Sequence, residues 1–78
     1  MVEAFVFVSV EPGKIDRVGM DIKRFPNVME VFAVTGEYDI VVRVEAKDFA
    51  ELSRIIREYI PSVSGVIKTS TSVIIEKY

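Results

Sequence analysis

The first ten residues set the tightest limit on what this chain can become. Over residues 2–10 the sequence alternates as a strand does, yet both parities are apolar: Val2, Ala4, Val6, Val8 and Val10 on one, Phe5 and Phe7 on the other. Neighbouring side chains of a strand point to opposite faces, so a strand of this kind has to be covered on both. With 78 residues the chain makes one small domain with a single core, near the size at which such a core is marginal by itself. Covering two faces is therefore a demand that one copy of the chain is poorly equipped to meet.

The remaining segments read as two helices and three further strands. Pro12-Gly13 breaks the first strand, and Ile15, Val18, Ile22 and Phe25 then recur at helical spacing, with Lys14, Asp16, Arg17, Asp21, Lys23 and Arg24 off that stripe. Pro26 ends the helix. Residues 28–34 form a second strand, with Val28, Phe32 and Val34 on one side and Met29, Val31 and Ala33 on the other, Val31 being assigned to the face without helices. Residues 38–45 form a third strand. Tyr38, Ile40, Val42 and Val44 share its core side by parity, opposite Asp39, Val41 and Arg43. Asp48 and Glu51 make a capping-box signature that opens a second helix with the stripe Phe49, Leu52, Ile56 and Tyr59. Pro61 stops that helix, and residues 63–75 give a fourth strand with a hydroxyl-rich middle, Lys68-Thr69-Ser70-Thr71-Ser72.

The two halves echo each other. Phe25-Pro26-Asn27-Val28-Met29-Glu30-Val31 and Ile60-Pro61-Ser62-Val63-Ser64-Gly65-Val66 share an apolar residue, a proline and two valines at matching offsets. Two βαβ units with right-handed crossovers predict an α+β fold of order βαββαβ: a ferredoxin-like sandwich, a four-stranded antiparallel sheet with both helices on one face. The other face is left bare and apolar, and sheets from two subunits are expected to pack there face to face.

Composition excludes several chemistries. The chain has no cysteine and no histidine, which removes disulfides, thiolate metal sites and the commonest metal ligand and general base. No metal or cofactor is expected. Ten basic against twelve acidic side chains give a net charge of -2, the wrong sign for nucleic acid. No apolar run approaches membrane-spanning length and Met1 leads directly into the first strand, so a cytoplasmic, membrane-free protein is expected. The absence of glutamine and the single asparagine, Asn27, point weakly to a thermophilic source.

Between strands two and three lies a polar turn, Thr35-Gly36-Glu37-Tyr38-Asp39. It carries a hydroxyl, a backbone open to close approach, two carboxylates and a phenol. Strand two running into Val34-Thr35-Gly36-Glu37-Tyr38-Asp39, the run Ile40-Val41-Val42-Arg43-Val44, and Gly65-Val66-Ile67-Lys68-Thr69-Ser70-Thr71 resemble the effector-binding domain of the Lrp/AsnC family, the RAM domain (regulation of amino-acid metabolism). The resemblance covers essentially the whole chain, and Gly-x-x-Asp with its preceding threonine is its most specific element. With nothing ahead of strand one, the chain is similar to a stand-alone RAM domain over 1–78, without the helix-turn-helix of longer members.

What the resemblance implies is a non-enzymatic, amino-acid-binding regulator of transcription. It implies dimers that join into higher rings, octamers among them, able to mix with full-length Lrp/AsnC regulators. Thr35, Gly36, Glu37, Tyr38 and Asp39 would form one wall of the effector site, and Thr69, Ser70 and Thr71 of a neighbouring dimer another. Asp39 suits an α-ammonium, and the hydroxyls and backbone N–H groups near Gly36 suit an α-carboxylate.

Three other readings remain. Glu11-Pro12-Gly13-Lys14-Ile15 is similar to the ligand turn of the ACT domain, although a strand-to-helix turn needs no ligand to explain its proline and glycine. A small dimeric ferredoxin-like enzyme would need a proton-transfer group from Asp, Glu or Tyr. Phe5 and Phe7 suit an RNA-stacking sheet only if strand three carried aromatic and basic residues, which it does not. The acidic pairs Asp16/Asp21 and Glu51/Glu58 read as solvated helix faces. The 78-residue chain alone is expected to leave no footprint on duplex DNA at physiological salt, since it combines net negative charge with no recognition helix preceded by a turn. A sequence-specific footprint from the purified chain would contradict this.

Overall fold

The computed structural model describes residues 1–78, and it folds as two interlocked βαβ units. The elements are β1 (Val2–Val10), α1 (Ile15–Lys23), β2 (Val28–Ala33), β3 (Ile40–Ala46), α2 (Phe49–Arg54, continued by a π-helical turn Ile55–Tyr59) and β4 (Val66–Val73). The strands lie in the order β2-β3-β1-β4 and every neighbouring pair is antiparallel. This is the ferredoxin-like α+β sandwich that the sequence predicts.

Register decides which face each residue serves. Ala4, Val6 and Val8 of β1 stand beside Val44, Val42 and Ile40 of β3, and all six are buried together with Val18 and Ile22 of α1 and with Leu52, Ile55 and Ile60 from the second helical segment. Both helices thus cover the same face. Each fully buried valine or isoleucine contributes about 1.5–3 kcal/mol, so this shared core is the main source of stability. The opposite face carries two cross-strand rows. Glu30, Arg43, Phe5 and Ser72 form one, and Phe32, Val41, Phe7 and Ser70 the next. No element of the chain covers them, and Phe32 stays 49% exposed.

Three expectations need correction, each for a local backbone reason. In β2 the register steps from Val28↔Val44 to Glu30↔Arg43, leaving Met29 as the extra residue of a bulge. Past the bulge, Val31 and Ala33 stand beside Val42 and Ile40 on the helix face, and Phe32 faces the bare side, so the assignment of Val31 to the bare side is reversed. Tyr38 lies outside β3, which begins at Ile40, and is not in the core. Its ring packs on Phe7 of the bare face at 5.8 Å. In the second helix the bond from Ile60 N–H to Ile55 O (3.0 Å) spans five residues, and this wider turn brings Ile55 and Ile60 inward while Phe49 is left 67% exposed. The capping box forms in altered shape: Asp48 accepts from Glu51 N–H at 2.9 Å, and Glu51 accepts from Lys47 N–H and from the Asn27 amide.

The sequence echo has a structural cause. Before each proline the carbonyl accepts from the valine three residues on, Phe25 from Val28 at 3.0 Å and Ile60 from Val63 at 3.1 Å, so the same turn follows both helices. After the second turn comes Gly65, buried at φ +100°, which bonds through its carbonyl to Glu11 N–H at 2.9 Å. A Cβ on it would lie 2.8 Å from Val18 Cγ2, so α1 packs against bare backbone there. Gly65→Ala is expected to lower the unfolding free energy by about 1–3 kcal/mol, combining a clash in the core with a left-handed backbone. Urea unfolding followed by circular dichroism measures it, and an unchanged midpoint would show that the contact relaxes freely.

Candidate functional site

The chemistry of the chain gathers at the end of the bare sheet face where the loop 34–39 joins β2 to β3. The loop is anchored at its base. Val34 N–H donates to Asp39 O at 2.9 Å, Asp39 N–H donates to Val8 O at 3.0 Å, and the Asp39 carboxylate, through Oδ2, accepts from Val10 N–H at 2.8 Å. This last bond matters because β1 pairs with β3 only as far as Val8↔Ile40, which leaves the Val10 amide without a strand partner on that side. Asp39 supplies the missing acceptor. One of its oxygens is therefore committed to the fold, and Oδ1 remains.

Above that anchor the loop is chemically open. The backbone N–H groups of Thr35, Gly36, Glu37 and Tyr38 make no hydrogen bond within the chain, and Gly36 sits at φ +109° with open space around it. The loop borders a shallow depression of about 290 Å³ whose lining residues are Phe7, Val34, Thr35, Glu37, Tyr38 and Val41. Its floor is apolar and its rim polar. Lys68, at the start of β4, brings its ammonium to 5.8 Å from the centre of the Tyr38 ring. Neither Glu37 nor Lys68 takes part in an ion pair within the chain.

The hydroxyls of β4 divide between the faces. Ser70 stands beside Phe7 on the bare face, whereas Thr69 and Thr71 stand beside Val8 and Val6 on the helix face, with Thr71 Oγ1 buried and unbonded. Strand alternation keeps these three from forming one surface, and β1 separates all of them from the loop of the same chain. Thr35, Gly36, Glu37, Tyr38 and Asp39 are thus brought together, and Thr69, Ser70 and Thr71 are not joined to them within one subunit. Phe7, Val41 and Lys68 are neighbours of the loop that sequence reasoning missed. Phe7 and Val41 share the bare face by parity, and that was the available signal.

Further along the bare face lies a charged cluster. Arg43 bonds Glu30 at 2.7 Å, Glu45 at 2.9 Å and Glu3 at 3.3 Å, and Lys77 also pairs with Glu3. The bonds that Arg43 donates to Glu30 and Glu45 raise its pKa above the ordinary value, and the Lys77 ammonium, seconded by Arg43, holds the Glu3 carboxyl below its own. These charges satisfy one another, as a structural network does. A larger groove of about 650 Å³ runs between α1 and β2, lined by Ile15, Met20, Val31 and Ile40 among others, but it offers only Asp16 and Lys23 as charged groups. At the ACT-like turn Lys14 N–H donates to Glu11 O at 3.1 Å and the two side chains approach to 3.8 Å, while the Gly13 and Ile15 N–H groups make no bond within the chain. No three acidic side chains converge as metal ligands would, and no helix is long and apolar enough to cross a membrane.

Comparison with known proteins shows which sequences and folds the chain is similar to. The HTH-type transcriptional regulator FL11 of Pyrococcus horikoshii is 33% identical over 75 residues, which are 96% of this chain and 49% of the regulator. The chain spans about half the length of the curated regulators it matches. A homocitrate synthase of Sulfurisphaera tokodaii is 52% identical over 52 residues, 67% of this chain but 11% of that enzyme. Among solved structures, the Thermus thermophilus protein TTHA0845 superposes with a TM-score of 0.94 at 36% identity, covering 100% of this chain and 98% of that one. The transcriptional regulator NMB0573 of Neisseria meningitidis, solved as its complex with L-methionine, gives 0.85 at 26% identity over 97% of this chain and 51% of that one. The family model described as the Lrp/AsnC ligand binding domain matches residues 3–78, and the chain belongs to that family.

Proposed function

We propose that this domain binds a free amino acid at the 34–39 loop and, through the bare sheet face, assembles into dimers and then into larger rings such as octamers that carry the signal. The observation that supports the site best is the loop itself: four successive unbonded N–H groups and an unpaired carboxylate beside an apolar depression. Such a rim matches the α-carboxylate and α-ammonium of a zwitterion, and the floor accommodates a side chain. Ser70 of a neighbouring subunit would reach the effector from the bare face and Thr69 from the other side of the edge strand, since β1 stands between them and the loop of their own, while the buried Thr71 hydroxyl would stay within its own fold. The L-methionine complex of the Neisseria meningitidis relative supports an amino-acid effector.

Assembly rests on the second row of the bare face. Phe32, Val41 and Phe7 form an apolar strip across three strands, which a second copy of the same sheet would cover. Through mixed oligomers with longer relatives the domain would then act on transcription of amino-acid metabolism indirectly. The match to homocitrate synthase favours a second reading, in which the same effector domain controls an enzyme.

Two measurements test the proposal. Light scattering is expected to give a dimer or larger for the unmodified chain and a smaller species for Val41→Asp, which places a charge in the middle of the strip; a monomer before mutation would exclude the assembly. A thermal-shift screen of the twenty amino acids is expected to raise Tm for one or a few, because a ligand that binds only the folded state stabilises it by about 2.7 kcal/mol at a hundredfold excess over Kd. A flat screen, confirmed by calorimetry, would remove the effector reading.

A further inference from the structure

We propose that the groove between α1 and β2 is a second self-contact, in which α1 of one copy lies antiparallel to α1 of another across a two-fold axis, Asp16 of each meeting Lys23 of the other. This rests on the sheet-to-sheet dimer proposed above. Such a dimer would turn its helices outward and carry the groove on both outer faces.

Asp16, Gly19, Met20 and Lys23 recur at helical spacing, so they form a second stripe on α1 beside the core residues Val18 and Ile22, and all four line the groove. Its volume is about 650 Å³, and its remaining wall is mostly carbon. Met20 is left 65% exposed at its edge. Gly19 forms the floor. A Cβ added there would meet Ile40 Cδ1 at 3.8 Å and Val31 Cγ1 at 3.9 Å, which are ordinary contacts, and Gly19 is not among the glycines with positive φ. Alanine would therefore fit, and it would hold the helix better. The fold has no need of this glycine; what the missing methyl leaves is room in the groove.

Charge identifies the occupant. Asp16 and Lys23 are exposed and neither takes part in an ion pair within the chain, although Arg17 and Asp21 of the same helix pair with each other. A spacing of seven residues puts them on one side of the helix, about 10 Å apart along its axis, with Gly19 and Met20 midway. A free amino acid carries its two charges too close together to reach both ends. A second α1 spans them. Laid antiparallel, it sets a lysine against each aspartate, and both ends are satisfied at once by an isologous contact; laid parallel, it would set like charges together. Met20 of each copy, flexible and polarizable, then covers the Gly19 floor of the other. Exposed ion pairs on a helix of nine residues hold weakly, so the contact suits dimers, which present the groove twice, better than lone chains.

Sedimentation velocity on the full chain, over a range of concentrations, tests the pairing by charge exchange. The unmodified chain is expected to form species larger than a dimer. Asp16→Lys alone and Lys23→Glu alone set like charges together at both ends of the contact, and each is expected to stop at the dimer. Mixed in equal amounts, the two variants offer opposite charges again, and the larger species should return without exchange of subunits inside the dimers. The double variant Asp16→Lys/Lys23→Glu should form them by itself. Gly19→Leu, which fills the floor, is expected to stop at the dimer with an unchanged far-UV circular dichroism spectrum. If the single variants assemble as the unmodified chain does, or if mixing restores nothing, the groove does not take a second copy and the inference is overturned while the sheet dimer stands. An unmodified chain that never exceeds a dimer overturns it as well. One that remains a monomer removes both readings.

Discussion

Everything in this fold hangs on β1, the one strand that is bonded along both edges and apolar on both faces. Its edges are taken by β3 and β4, its even residues meet the helices, and its odd residues carry the phenylalanines of the bare side. The strand also sets the end of the sheet. Where β3 stops pairing at Val8, the last two polar groups of β1 on that side, Val8 O and Val10 N–H, are both satisfied by Asp39. The strand that organises the core therefore also fixes the base of the loop, and a loop so anchored can leave its upper amides free.

Much of this was legible in the sequence because it follows from local chemistry. Prolines, glycines and helical spacing located the elements, and the matching valines after Pro26 and Pro61 announced a turn used twice. What failed was parity carried across a point where the backbone changes. Met29 looks like any apolar strand residue, yet it is the bulge that sends Val31 inward and Phe32 outward. Tyr38 obeys the alternation of β3 on paper but precedes the strand, so its ring turns to Phe7 instead. Nothing in the letters of the second helix marks the π turn that replaces Phe49 with Ile55 in the core. Each of these depends on hydrogen bonding between distant segments, which a one-dimensional pattern does not contain.

The candidate site was legible in part for the same reason. The polar turn stood out because its residue types are unusual between two strands. Its neighbours did not, since Phe7, Val41 and Lys68 become neighbours only when β1 lies between β3 and β4. The role of Asp39 was the hardest to foresee. A carboxylate in a recognition loop suggests a ligand, and only the register of β1 shows a backbone amide waiting for it.

The position of the depression bears on how a signal would leave it. Phe7 and Val41 line its floor, and the same two residues form the middle of the strip that a second sheet is proposed to cover. A ligand on that floor and a partner on that strip then meet the same side chains. Coupling in such a case needs no relay through the core: the ligand changes the surface the partner touches, and by linkage the partner changes the affinity for the ligand to the same degree. The rigidity of β1 helps here. Because its other face is fully packed against the helices, Phe7 could not retreat inward under a ligand, and in the proposed assembly the contact would pass sideways along the sheet to Phe32 and the neighbouring copy. In the proposed assembly a small domain with one core and one open face would join effector binding to association with the residues that leave that face uncovered.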